Sequence, residues 1–139
     1  MSHESARRAL ADVVLDRAEH LDNPERALIQ QVYGQGVRTD DLAAVLGVSR
    51  RTVQRRLQRL VERLTDPLTV FVIRHQARWD RLTAAIAVSV WVKGLPLRQA
   101  AARHDVSLHT VRQRLAHVKG MHAAAEALTR RPRRPRRSA

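Results

Sequence analysis

Apolar residues recur along this chain at helical rather than strand spacing. Ala6, Leu10, Val13, Val14 and Leu21 follow the i, i+3, i+4, i+7 pattern and predict an amphipathic first helix. The stretch "DNPERALIQQVYGQG" then carries helix boundary signals: Asn23 suits an N-cap, Pro24 the first helical position, Glu25 the positive end of the dipole, and Gly34 or Gly36 the stop. "TDDLAAVLG" predicts a short third helix with Thr39 as N-cap and Gly47 as terminator. Ser49 is placed to cap a fourth helix with the apolar stripe Val53, Leu57, Leu60 and Leu64. A second series follows. Asp66 and Pro67 open a helix through "DPLTVFVIRH", another spans about Arg81 to Lys93 and stops at Gly94, and short and long helices centre on Ala100 and Val111. β-branched residues cluster at Val70 to Ile73, the one place where a strand competes. The pattern predicts an all-α chain.

The second series copies the first. "VSRRTVQRRL" at Val48 to Leu57 returns as "VSLHTVRQRL" at Val106 to Leu115, a shift of 58 positions. The same shift, without gaps, pairs Ala43 with Ala101, Gly36 with Gly94, Tyr33 with Trp91, Val32 with Val90 and Leu28 with Ile86. Further back it pairs Leu10 with Leu68, Val13 with Phe71 and Val14 with Val72. Apolar falls on apolar and glycine on glycine, so the economical reading is one unit used twice. The organisation expected is a first unit at 1–65, a second at 66–128, and a disordered Arg-rich tail at 129–139.

The repeated centre has the logic of a helix-turn-helix: a short helix with a small residue (Ala43, Ala101), a tight turn ending in Val-Ser, and a second helix. Alanine lets the two helices cross closely. Gly47 can adopt the left-handed conformation of the turn, and Asp105, its counterpart, tolerates that region better than most residues. Val48 and Val106 are expected to plug the core beneath the turn, while Ser49 and Ser107 cap the second helix and can reach a phosphate. With the apolar stripe inward, Arg50, Arg51, Gln54 and Arg55 occupy the outer, N-terminal part of that helix, which enters the major groove in this motif. Arginine pairs bidentately with guanine and glutamine with adenine. Thr52 belongs to the same turn, and Arg56 and Arg59 lie further round, towards the backbone. The second unit offers Leu108, His109, Arg112 and Gln113, with Thr110 in the turn and Arg114 for backbone. Unlike faces imply unlike half-sites.

Charge agrees. The 139 residues carry a formal net charge of +13, and "RRPRRPRR" holds six of the positive charges, at Arg130, Arg131, Arg133, Arg134, Arg136 and Arg137. A polyanionic partner follows, nucleic acid before acidic membrane. Apolar residues are 44% of the chain but aromatics only 3%, so aliphatic side chains must fill the core, with Tyr33, Phe71, Trp79 and Trp91 as anchors. Cysteine is absent, which removes disulfides and thiolate metal sites. No apolar run reaches membrane-spanning length, and Met1 to Asp12 lacks a secretory apolar segment. Lysine occurs only at Lys93 and Lys119, so positive charge is nearly all arginine, a usage that points to a GC-rich, bacterial genome.

"GVRTDDLAAVLGVSRRTVQRRLQRL" and "GLPLRQAAARHDVSLHTVRQRLAHV" resemble bacterial sigma factor region 4 and the related helical output domains of response regulators. The resemblance implies a four-helix unit that presents its last helix to DNA. Nothing in the chain resembles the region that binds the promoter −10 element, and Pro96 stands where such sequences often place a capping Ser or Thr.

Enzymatic and metal readings find little. His104/His109 and His117/His122 lack the i, i+4 spacing of two ligands on one helix face. Asp40 and Asp41 sit at a helix start, where the dipole accounts for them. No Gly-rich phosphate loop or Ser/His/Asp order appears. The expectation is a non-enzymatic, cofactor-free, sequence-specific binder of double-stranded DNA, a bacterial transcription regulator in the cytoplasm at the nucleoid, acting as monomer or homodimer without membrane contact. The rivals are the recognition part of a transposase or recombinase, a nucleoid-associated protein, and an adaptor for RNA polymerase or a sigma factor.

Overall fold

The computed structural model describes residues 2–130. Among them the fold is all-α, with no strand. Helix α1 (His3–Ala18) leads to α2 (Glu25–Ile29), which runs straight into a π-helical turn, Gln30–Gly34; α3 (Thr39–Leu46) and α4 (Arg50–Thr65) complete the first unit. Helix α5 (Pro67–His75), a 3₁₀ turn at Gln76–Arg78, α6 (Arg81–Ala87) with its own π-helical turn Val88–Val92, α7 (Leu97–Arg103) and α8 (Leu108–Thr129) form the second. The Val70 to Ile73 cluster is helical: Asp66 caps α5 by accepting from the Leu68 amide, and Pro67 starts it.

The backbone repeats with the 58-position shift. Both π turns, both helix-turn-helix turns and the starts of α3/α7 and α4/α8 coincide under it. The hydrogen bonds coincide too. The Val37 amide donates to Gln31 and the Leu95 amide to Ser89, each at 2.9 Å. Gly36 and Gly94 take φ of 69° and 73° at equivalent points. The outer helices are least alike, because α1 has 16 residues and α5 has 9, while α8 runs well past the equivalent end of α4.

Three expectations need correction. Asn23 does not cap α2; Pro24 occupies that position without a side-chain cap, and the chain enters through the Asp22 carbonyl, which accepts from the Arg26 amide. Thr39 is the first residue of α3, not its cap, because the Arg38 carbonyl already receives the Asp41 and Leu42 amides. In α1 only Val14 and Ala18 are buried, and Leu10 and Val13 stay more than a third exposed. The helix packs against α2, the Gln30–Gly34 turn and α4.

The two units are not separate globules. A single core runs from Val14, Ile29, Leu57 and Leu64 through Val72, Ala87, Val92 and Val118, and a smaller one gathers Ile86, Ala101, Val111 and Leu115. Tyr33, Phe71, Trp79 and Trp91 anchor the edge of the larger core and are only half-buried. Polar side chains lock the seam. Arg63 of α4 donates through Nη1 to the Val92 carbonyl at 3.1 Å and through Nη2 to Glu25 at 2.8 Å. Asp22 receives Lys93 at 3.1 Å and Arg103 at 3.5 Å, both from the second unit. Lys93, hydrogen-bonded to it, holds the Asp22 carboxyl below the usual carboxylate range.

Candidate nucleic-acid interface

The first turn is built by three local devices. Gly47 sits in the left-handed region at φ 68°, the Val48 amide returns to the Ala43 carbonyl at 3.1 Å, and Ser49 Oγ accepts from the Thr52 amide at 3.1 Å. The second turn repeats them with Asp105 at φ 53°, Val106 to Ala101 at 3.0 Å, and Ser107 capping Thr110 at 3.1 Å. Ala43 and Ala101 are both buried at the crossing, where a longer side chain would part the helices. Val48 and Val106 are half-buried beneath the turns.

Burial of Val53, Leu57, Leu60 and Leu64 decides what α4 shows to solvent. Ser49, Arg50, Arg51, Gln54, Arg55, Arg56 and Arg59 are all exposed, and Thr52 is half-buried. In α8 the buried Val111, Leu115 and Val118 leave Ser107, His109, Arg112 and Gln113 exposed, with Thr110 and Leu108 half-buried. Two expected contacts are occupied within the chain. Arg50 lies 3.3 Å from Asp40, an exposed pair that contributes little to stability and is readily exchanged for another partner. Arg114 donates to Asp80 at 3.1 Å and to the buried Thr83 hydroxyl at 3.0 Å, so in the free chain it braces α8 against α6. Asp80 itself caps α6 by accepting from the Thr83 amide, and that bond, with Arg114 nearby, holds its carboxyl low. Arg130 is exposed at the end of α8; Arg131, Arg133, Arg134, Arg136 and Arg137 lie outside the described residues.

The repeat also exposes residues that motif reading passed over. Arg98 stands on the first turn of α7 where α3 has Asp40, so the second unit carries an exposed cation beside its reading helix where the first carries an acid. The 58-position shift was the available signal. Arg63 and Asp22, the seam residues, carried none, because their partners are remote in sequence.

The surface is therefore two helix starts of the kind that enters a major groove, each arginine-bearing and held at a fixed relation by a shared core. Such a fold and surface define a helix-turn-helix protein of the DNA-binding class. The family model of the homeodomain-like domain matches residues 20–68, which cover α2 to α4 and the first two residues of α5. No curated protein and no solved structure matches the chain.

Proposed function

We propose that this chain is a bacterial transcription regulator that reads two unlike half-sites in the major groove with the starts of α4 and α8. The observation that supports the reading is the pairing of similar turn geometry with different exposed side chains, Arg50, Arg51, Gln54 and Arg55 in one unit and His109, Arg112 and Gln113 in the other. Shared geometry gives two groove-entering helices; different side chains give different base preferences. Ser49, Ser107, Arg56 and Arg59 serve the phosphates, and the C-terminal arginines add sequence-independent affinity. The seam formed by Arg63, Asp22 and the common core keeps the half-site spacing strict within one chain.

Selection of bound sequences from random duplex DNA tests this. Enrichment of a non-palindromic site with two unlike halves is expected, and insertion of about five base pairs between them, half a helical turn, should lower affinity to that of one unit. Enrichment of no motif would instead favour a nucleoid-associated protein. Absence of DNA binding would favour an adaptor for RNA polymerase or a sigma factor. A motif with unchanged affinity after the insertion would defeat the rigid-joint part alone.

A further inference from the structure

The repeat supplies an internal control: wherever a surface of one unit is covered, its counterpart in the other can be inspected. Two counterparts differ. On the outer face of α5, Leu68 and Phe71 pack against the core, and Phe71 stacks against His122 of the extended α8 with ring centroids 5.0 Å apart. Their equivalents on α1, Leu10 and Val13, are 39% and 37% exposed, and the position of His122 is held in α4 by Leu64, whose side chain is buried in the core. The exposed Ala6 and Ala9 extend this stripe, and Asp12 and Asp16 flank it with no ion-pair partner among the described residues.

The second difference is on the helix before the turn. In α7, Arg103 reaches Asp22 and the adjoining His104 bonds Ser89 at 2.7 Å. The same positions of α3 hold Val45 and Leu46, 82% and 49% exposed, on the wall of an open groove of about 550 Å³ floored by Leu28 and Leu42. Arg56 and Arg59 form its rim, and neither has an ion-pair partner among the described residues.

Asp12 and Asp16 lie beside the first apolar surface, which Arg7 and Arg17 also border, and Arg56 and Arg59 line the second together with Glu25, itself paired with Arg63. The two surfaces match in hydrophobicity, and Asp12 and Asp16 oppose Arg56 and Arg59 in charge. Within one chain they cannot meet, since α1 is already held through Val14 and Ala18 against α2 and α4. We infer that the groove between α2, α3 and α4 receives the outer face of α1 from a second copy of this chain. Leu10 and Val13 enter beside Val45 and Leu46, and Asp12 and Asp16 meet Arg56 and Arg59. Made reciprocally about a two-fold axis, the contact occurs twice, as a closed dimer requires. In the dimer the two rim arginines neutralise the partner's acids, so their phosphate role is confined to the monomer. The reading end of α4, Arg50 to Arg55, stays clear.

The test is the mass of the full chain in solution, by sedimentation equilibrium at physiological salt from about 1 to 100 µM. A doubling of mass across that range is expected, and Val45→Glu, at a largely exposed position that tolerates the change in folding, should abolish it. Charge exchange is the sharper arm. A chain with Asp12→Arg and Asp16→Arg has a basic α1 and a basic groove rim, and a chain with Arg56→Glu and Arg59→Glu has both acidic. Each should be monomeric alone, with unchanged helical circular dichroism, and an equimolar mixture should form a heterodimer in which both contacts are complementary. A wild-type chain that stays monomeric at 100 µM, a Val45→Glu chain that still dimerises, or a mixture of the two charge variants that stays monomeric would each overturn the inference.

Discussion

Gly36 and Gly94 occupy equivalent points of the two units, both with positive φ, yet alanine should be tolerated unequally there. At Gly36 a new Cβ meets nothing within 4 Å, so the cost is the left-handed backbone alone, about 1–2 kcal/mol. At Gly94 the same Cβ would lie 2.5 Å from Arg63 Nη1 and 2.7 Å from Arg63 Cζ. The guanidinium is the free end of a flexible side chain and can swing aside, so the collision itself is cheap. Swinging aside loosens its bond to the Val92 carbonyl, which joins the two units, and its pair with Glu25 inside the first unit. A hydrogen bond from a charged group contributes about 1.5–3 kcal/mol and a partly exposed ion pair less than about 1; with some contact retained, the added loss is about 1–2 kcal/mol. Gly94→Ala should then cost about 2–4 kcal/mol in all. For a chain of this length that places its Tm roughly 3–10 °C below that of Gly36→Ala. Thermal unfolding followed by circular dichroism measures both, and an Arg63→Ala background supplies the cycle: with the guanidinium gone, the two glycine substitutions should cost the same. Equal losses in the native background, or a difference that persists without Arg63, would refute the account of the seam.

Arg51→Ala and Arg112→Ala should each cost about 1–3 kcal/mol of DNA binding and relax preference at one base, in different halves of the selected site; uniform weakening on all sequences would reduce both residues to phosphate contacts. Deleting residues 131–139 removes five arginines and should flatten the slope of log K against log salt by up to about 4.5 without altering the motif. The Asp22 carboxyl is held low by Lys93, so its contribution is present at neutral pH and lost as the pH falls through its depressed folded value. Asp22→Asn should therefore lower stability at neutral pH slightly, by less than about 1 kcal/mol for a partly exposed pair, and shrink the drop between neutral and acid pH. Asp105→Gly should leave stability unchanged or raise it by up to about 1 kcal/mol, since φ 53° suits glycine better; a clear loss would mean the aspartate side chain holds the turn.

What was legible in the sequence is what neighbouring residues settle between themselves. The stripe Val53, Leu57, Leu60, Leu64 is buried as its period requires, the caps Ser49, Ser107 and Asp66 close bonds only two or three residues long, and Gly47 and Asp105 turn left-handed where the chain must reverse. From those, the two helix starts and the exposed side chains on them follow. The tertiary structure decided the rest. Period alone put Leu10 and Val13 with Val14, but a helix buries only the stretch its neighbours cover, and Leu10 and Val13 stay more than a third exposed. The π turns at Gln30–Gly34 and Val88–Val92 leave no mark in side-chain spacing because they are made by backbone bonds one residue wider. Arg114 looked like its counterpart Arg56 until folding brought Asp80 and Thr83 against it. Arg63 and Asp22 became the seam for the same reason: a charge takes its role from the partner that packing delivers, and that partner lies far along the chain.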